Sequence, residues 1–235
     1  MSGPAQERRT PSWARQVMAV VRKDLLVEFR TRERVASMGA FGVLVGVLFH
    51  YAIDPVAVRP QDVASGILWM TVLFAGILGV GRTFHLEDGD GAMSGLLHSP
   101  VALDALYVGK LIANVVLLWL IVALILVTFA AFFRVGLGPH PWAVIGILAL
   151  GSFGFVALTT LFSAVSARTS MGESLLPVLV FPLLVPVIIF GVSATSRLMV
   201  ARPLSEVAGN VRMLGAFALL AVAAGVTLFR FVVEE

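Results

Sequence analysis

Residues 82–110 read RTFHLEDGDGAMSGLLHSPVALDALYVGK. This interval has too few apolar residues to cross a bilayer, which needs about 20 in a row. It lies between two runs that are apolar enough, GILWMTVLFAGILGVG at 66–81 and LIANVVLLWLIVALILVTFAAFF at 111–133. A polar, acid-rich interval in that setting is a loop outside the membrane. Its internal pattern is too regular for a slack linker.

The rest of the 235 residues supports a membrane setting. Hydrophobic residues make up 59% and charged residues only 13%, with a mean hydropathy of +0.97. Soluble domains are about half apolar and about a quarter charged, so both departures point towards lipid. The absence of cysteine excludes disulfides, thiolate metal sites and a cysteine nucleophile. The first apolar run begins near Val35, behind a basic segment, whereas a secretory signal has its short apolar region nearer the start. The N-terminus is therefore expected to be retained.

Residues 1–12, MSGPAQERRTPS, are expected to be a disordered tail. Residues 13–34 are expected to form an amphipathic helix in the membrane interface. Ala14, Val17, Met18, Val21, Leu25 and Phe29 fall on one face, and Arg15, Arg22, Lys23 and Arg30 on the other. Asp24 and Glu28 interrupt the apolar sector, so either they meet a protein partner or the helix only half-inserts. Six spans follow, near 35–53, 63–81, 108–133, 142–167, 174–195 and 212–233. Residues 35–235 are expected to form one six-helix transmembrane domain, with a coupling element outside the bilayer at 82–107. Lys110 is close enough to the end of its span to snorkel. Gly42 and Gly46 have the spacing that lets membrane helices approach closely.

Orientation follows the basic residues of short loops. Eight precede the first span (Arg8, Arg9, Arg15, Arg22, Lys23, Arg30, Arg32 and Arg34), and only Arg59 follows it. This places both termini and the 82–107 element in the cytoplasm. Arg197, Arg202 and Arg212 near the last outer connection argue the other way. Pro177, Pro182 and Pro186 each remove a backbone donor from the fifth span. A kinked helix followed by one or two short re-entrant helices near Phe190–Asn210 is expected. A bent helix with a plain outer loop is the alternative.

Enzyme chemistry finds little support. A P-loop needs G-x-x-x-x-G-K-[ST]. Gly109-Lys110 is the sole Gly-Lys pair, and it is followed by Leu111, with Asp104 in the place of the first glycine. His50, His85, His98 and His140 are scattered without a metal-binding spacing. In the 82–107 element, Phe84, Glu87 and Asp90 recur every third residue, and Gly91, Ala92 and Met93 follow. Acids at i and i+3 share a helix face, and glycine can end such a helix. Met93, Leu96 and Leu97 then form an apolar knob before the break at Pro100. A short helix with an acidic end and an apolar knob suits a groove in a partner, through which force could reach spans two and three. A solvated loop is the plainer alternative, but it would leave the knob in water.

The chain resembles the permease of the cytochrome c maturation haem exporter, the CcmB family of ABC-2-type membrane subunits. The resemblance is carried by RKDLLVEFRTRE at 22–33, residues 66–101, YVGKLIANVV at 107–116 and residues 175–195. The family's motif F-x-x-D-x-x-D-G-S-L falls on Phe84, Glu87, Asp90, Gly91, Ala92 and Met93. Three positions depart: Glu87 for Asp, Ala92 for Ser and Met93 for Leu. The resemblance implies an all-α permease of ABC-2 type in the bacterial inner membrane, catalytically silent itself. Two cytoplasmic ATP-binding subunits, which hold the ATP, would dock on the loop between helices two and three of a homodimer. A haem-handling membrane protein of the same pathway and membrane lipid are the other expected partners; no nucleic acid is. Haem is the implied cargo, and hydrolysis would be linked to release of a haem-loaded periplasmic chaperone. The competing readings are an ABC-2 permease for a lipid, drug or glycan, and a scaffold that moves nothing. No cofactor of the chain's own is expected. His50 and His140 lie near the outer face and could in principle ligate haem iron. A histidine beside an aromatic there is more often an ordinary belt residue.

Overall fold

A computed structural model describes residues 11–54, 56–84, 102–133, 136–167 and 172–234, except for the side chains of 172–175 and 234. Helix α1 spans Trp13–Thr31, α2 Glu33–Ala52 and α3 Pro60–Val80. Helix α4 spans Leu103–Phe133, α5 Pro141–Ala167, α6 Gly172–Met199 and α7 Ala208–Glu234. Among the described residues there is no strand, and α2 to α7 are the six helices long and apolar enough to cross a membrane. The chain is an all-α membrane protein.

Burial sorts these helices. In α3 and α5, 67% and 72% of the most apolar window is enclosed by protein, against 22% in α2 and 28% in α6 and α7. The first two are therefore the centre of the bundle, and the others turn most of their apolar surface outward from it. Trp69 of α3 marks the middle of the bundle. Its side chain is completely buried, and its indole N–H donates to Thr195 Oγ1 of α6 at 3.0 Å. Helix α2 lies against α4 through its glycines. A Cβ on Gly46 would stand 2.6 Å from Thr128 Cγ2, and one on Gly42 2.8 Å from Ile125 Cγ1. Close approach of these helices needs hydrogen at both positions.

Two expectations change here. The predicted helix over 13–34 is two helices, broken at Arg32, which adopts a left-handed conformation (φ 55°). Glu33 and Arg34 thus belong to the first span. The re-entrant helices expected near Phe190–Asn210 are not formed. Helix α6 continues through Pro177, Pro182 and Pro186 to Met199. Its end is closed by Arg202 N–H donating to the Arg197 carbonyl at 2.9 Å across Ala201, which has φ 61°. A single 3₁₀ turn, Leu204–Val207, then leads into α7. Proline costs a helix one bond and a steric push, and the neighbours α3, α5 and α7 hold α6 in place regardless. The tail at 1–10 lies outside the described residues.

Candidate functional site

Most of the predicted site lies outside the described residues: Glu87, Asp90, Gly91, Ala92, Met93, Leu96, Leu97 and Pro100, with His85 and His98. What the structure provides is the frame at the two ends of that stretch. Thr83 and Phe84 lead into it, and Ala102, Leu103 and Asp104 lead out. The exit is held directly by α1, and the entry by α2, α4 and α7.

At the exit, Gln16 Oε1 of α1 accepts the Ala102 N–H at 2.9 Å, satisfying a donor just before the first turn of α4. Trp13 Nε1 donates to Asp104 Oδ2 at 2.9 Å. Val17 and Val21 pack on Ala105, and Val20 rests on Gly109, where a Cβ would come within 2.6 Å of Val20 Cβ. At the entry, the Phe84 ring is wholly buried against Phe229 of α7 at 5.8 Å, and Lys110 Nζ stands 4.6 Å from its centroid. Phe84, expected on the docking surface, therefore faces the bundle interior. Burial of so large an apolar ring stabilises this placement.

Between the two ends lies a buried polar junction. Glu28 of α1, 2% exposed, accepts from Arg34 Nε at 2.8 Å, and its other oxygen accepts the Val35 N–H at 2.9 Å. The carboxylate thus neutralises a buried guanidinium and caps the first turn of α2. Arg34 Nη1 also donates to Asn114 Oδ1 of α4 at 3.1 Å and to Thr83 Oγ1 at 3.3 Å. Asn114 Nδ2 donates to Thr160 Oγ1 of α5 at 3.1 Å. Asp24 accepts from Lys110 Nζ at 3.3 Å, and the same ammonium reaches the Thr83 carbonyl at 3.3 Å. Ser163 of α5 donates to the Gly81 carbonyl at 2.7 Å. Helices α1 to α5 thus converge on the last residues before the undescribed stretch.

This junction overturns two expectations. Asp24 and Glu28 neither await an outside partner nor hold the helix half out of the membrane; each is paired within the chain. Lys110 does not snorkel, being 1% exposed. Its ammonium is answered inside the protein by Asp24, the Thr83 carbonyl and the Phe84 ring. The buried face of α1 is Val17, Val20, Val21, Asp24 and Glu28. Met18 and Phe29, one step round the helix, remain exposed. The other interfacial candidates Arg22, Lys23 and Arg30 are exposed, with Lys23 Nζ 3.1 Å from Asp24 Oδ1. Acids four residues apart inside an apolar sector were the available signal: each required a buried cation. Which cations answered them could not be read from spacing, because Arg34 and Lys110 lie 6 and 86 residues away.

The C-terminal part of α7 shares this end of the bundle, since Leu103 and Asp104 line one cavity with Thr227, Arg230 and Phe231. His50 and His140 lie towards the other end. His50 is exposed, with its ring 5.2 Å from Tyr51 and 5.5 Å from Phe132, and His140 is exposed just before α5. Among the described residues no three His, Cys, Asp or Glu side chains cluster as metal ligands.

The profile of the CcmB protein family matches residues 15–233. The chain is 32% identical over 199 residues to heme exporter protein B of Rhodobacter capsulatus, covering 81% of this chain and 89% of that protein. It is 32% identical over 183 residues to heme exporter protein B of Paracoccus denitrificans, covering 76% and 82%. The protein of the same description in Pseudomonas aeruginosa is 31% identical over 170 residues, covering 71% and 74%.

Proposed function

The chain belongs to the CcmB protein family, and on that premise we propose that it is the membrane subunit of a haem exporter serving cytochrome c maturation, powered by a separate ATPase. The names its relatives carry support the haem assignment. The coupling reading rests on one observation: α1 bonds the exit of the 85–101 stretch directly, while its buried partners Arg34 and Lys110 hold Thr83 at the entry. A push on that stretch would reach α3 through Thr83 and Phe84, and α4 through Ala102 and Asp104. Because Lys110 and Asn114 of α4 bond Thr83 just beyond the end of α3, the two spans would move as one body rather than shear apart.

In this reading Glu87 and Asp90 face a groove on the ATPase, and Met93, Leu96 and Leu97 fill it. Two copies of the chain join two ATP-binding subunits at the cytoplasmic side of the bacterial inner membrane. A haem-handling membrane protein binds alongside them, and hydrolysis releases a haem-loaded periplasmic chaperone from the assembly. The motive force comes from ATP on the partner, and this chain's part is mechanical.

Co-purification of the ATPase with the wild type and with Glu87→Ala/Asp90→Ala tests the docking. The double variant is expected to lose the ATPase while its bundle keeps the wild-type melting temperature. Retention at full strength sinks the docking assignment. Loss of c-type cytochromes in cells carrying the same variant is expected for a haem exporter; normal cytochromes beside a lost ATPase would point to another cargo.

A further inference from the structure

At the end of the bundle opposite α1, an open groove of about 540 Å³ runs between the start of α5 and the start of α7, closed on one side by the 3₁₀ turn. Its walls are apolar, among them Gly146, Ile147, Leu150, Val207 and Val211, and Arg212 is the one charged residue lining it. Arg197, Arg202 and Arg212 lie around the connection from α6 to α7, on the side expected to be outer, where the positive-inside tendency disfavours them. Glu206 answers two: its carbonyl accepts from Arg197 Nη1 at 3.0 Å, and its carboxylate stands 4.0 Å from Arg202 Nη1. Arg212 is exposed and has no ion pair among the described residues.

Depth identifies the ligand class. Helix α7 runs on from Arg212 to Glu234, and at 1.5 Å per residue that length is about the 30 Å of a hydrocarbon core. The Arg212 guanidinium therefore stands at headgroup level, and the apolar groove leads from it into the acyl region. A small soluble anion would have no use for that wall, and a wholly apolar guest none for the arginine. We propose that this groove binds an anionic phospholipid. Its phosphate takes the paired N–H groups of Arg212, and one acyl chain lies along Gly146, Ile147 and Val211. Gly146 leaves the chain its space: a Cβ there would meet nothing within 4 Å.

Delipidated protein in mild detergent, titrated with phosphatidylglycerol, phosphatidylcholine or inorganic phosphate and read by native mass spectrometry, tests this. The wild type is expected to take up phosphatidylglycerol about tenfold more readily than phosphatidylcholine, whose choline cation offsets the phosphate charge that Arg212 meets. Arg212→Gln should erase the preference but still take up lipid. Gly146→Phe, whose side chain enters open space, should lose both lipids while melting as the wild type does. The proposal is overturned if the wild type shows no headgroup preference, if Arg212→Gln retains it, or if inorganic phosphate displaces the lipid at equal concentration. Displacement of the lipid by haem, which also joins an apolar body to acidic groups, would overturn it too.

Discussion

Replacing Arg34 with methionine removes a buried cation while keeping a side chain of similar reach. Arg34 is 6% exposed, and Glu28, its partner at 2.8 Å, is 2% exposed. The variant strands a carboxylate inside the protein and takes a donor from Asn114 and Thr83. Breaking a buried pair by removing one partner costs about 3–5 kcal/mol, where a typical whole stability is about 5–15 kcal/mol. At about 4 kcal/mol, the folded-to-unfolded ratio falls roughly a thousandfold. Glu28→Met/Arg34→Met removes both charges and should be milder than Arg34→Met. It retains a loss of about 1 kcal/mol, because the Glu28 cap on the Val35 N–H goes with the carboxylate. Equilibrium unfolding in mixed micelles with increasing dodecyl sulfate, followed by tryptophan fluorescence, compares Arg34→Met, Glu28→Met and the double variant. If Arg34→Met lies within about 1 kcal/mol of wild type, or the double variant loses the sum of the two single losses, the junction does not act as one stabilising unit.

Further outcomes follow from the packing. Phe84→Ala empties a fully buried ring site beside Phe229 and should cost about 3–5 kcal/mol, measured in the same unfolding assay; wild-type stability would mean the ring lies outside the bundle. Gly46→Leu drives a side chain towards Thr128 Cγ2, 2.6 Å from the new Cβ, and should cost about 1–3 kcal/mol, seen as a lower melting temperature. An unchanged melting temperature would show that α2 can move away from α4 freely. Thr195→Val leaves the Trp69 indole N–H unpaired at the centre of the bundle and should cost about 1–3 kcal/mol; a neutral result would mean that the indole finds another acceptor.

How much is legible in advance differs from one element to the next. Spans are set by runs of about 20 apolar residues, a property of the chain alone. The six helices that could cross the membrane are therefore countable before any fold is known, and so is the amphipathic segment ahead of them. The break at Arg32 is not, because a left-handed residue between two helices carries no compositional mark when it is an arginine. The end of the proline-rich helix is hidden for a related reason. Proline weakens a helix locally, whereas the continuation of α6 to Met199 depends on the helices packed around it.

The sequence by itself determined that this is a bundle of membrane helices interrupted by one acid-rich interval, because hydropathy is summed along the chain. It also announced a puzzle in Asp24 and Glu28, two acids on an otherwise apolar face. Only the tertiary structure decided their answer. Pairing Asp24 with Lys110 requires α1 to lie against α4, a contact between segments 86 residues apart, and pairing Glu28 with Arg34 requires the chain to turn at Arg32 so that α2 folds back on α1. The same contacts turn the ends of the 85–101 stretch into a frame, since the cost of an unpaired buried charge holds α1, α2 and α4 at one point.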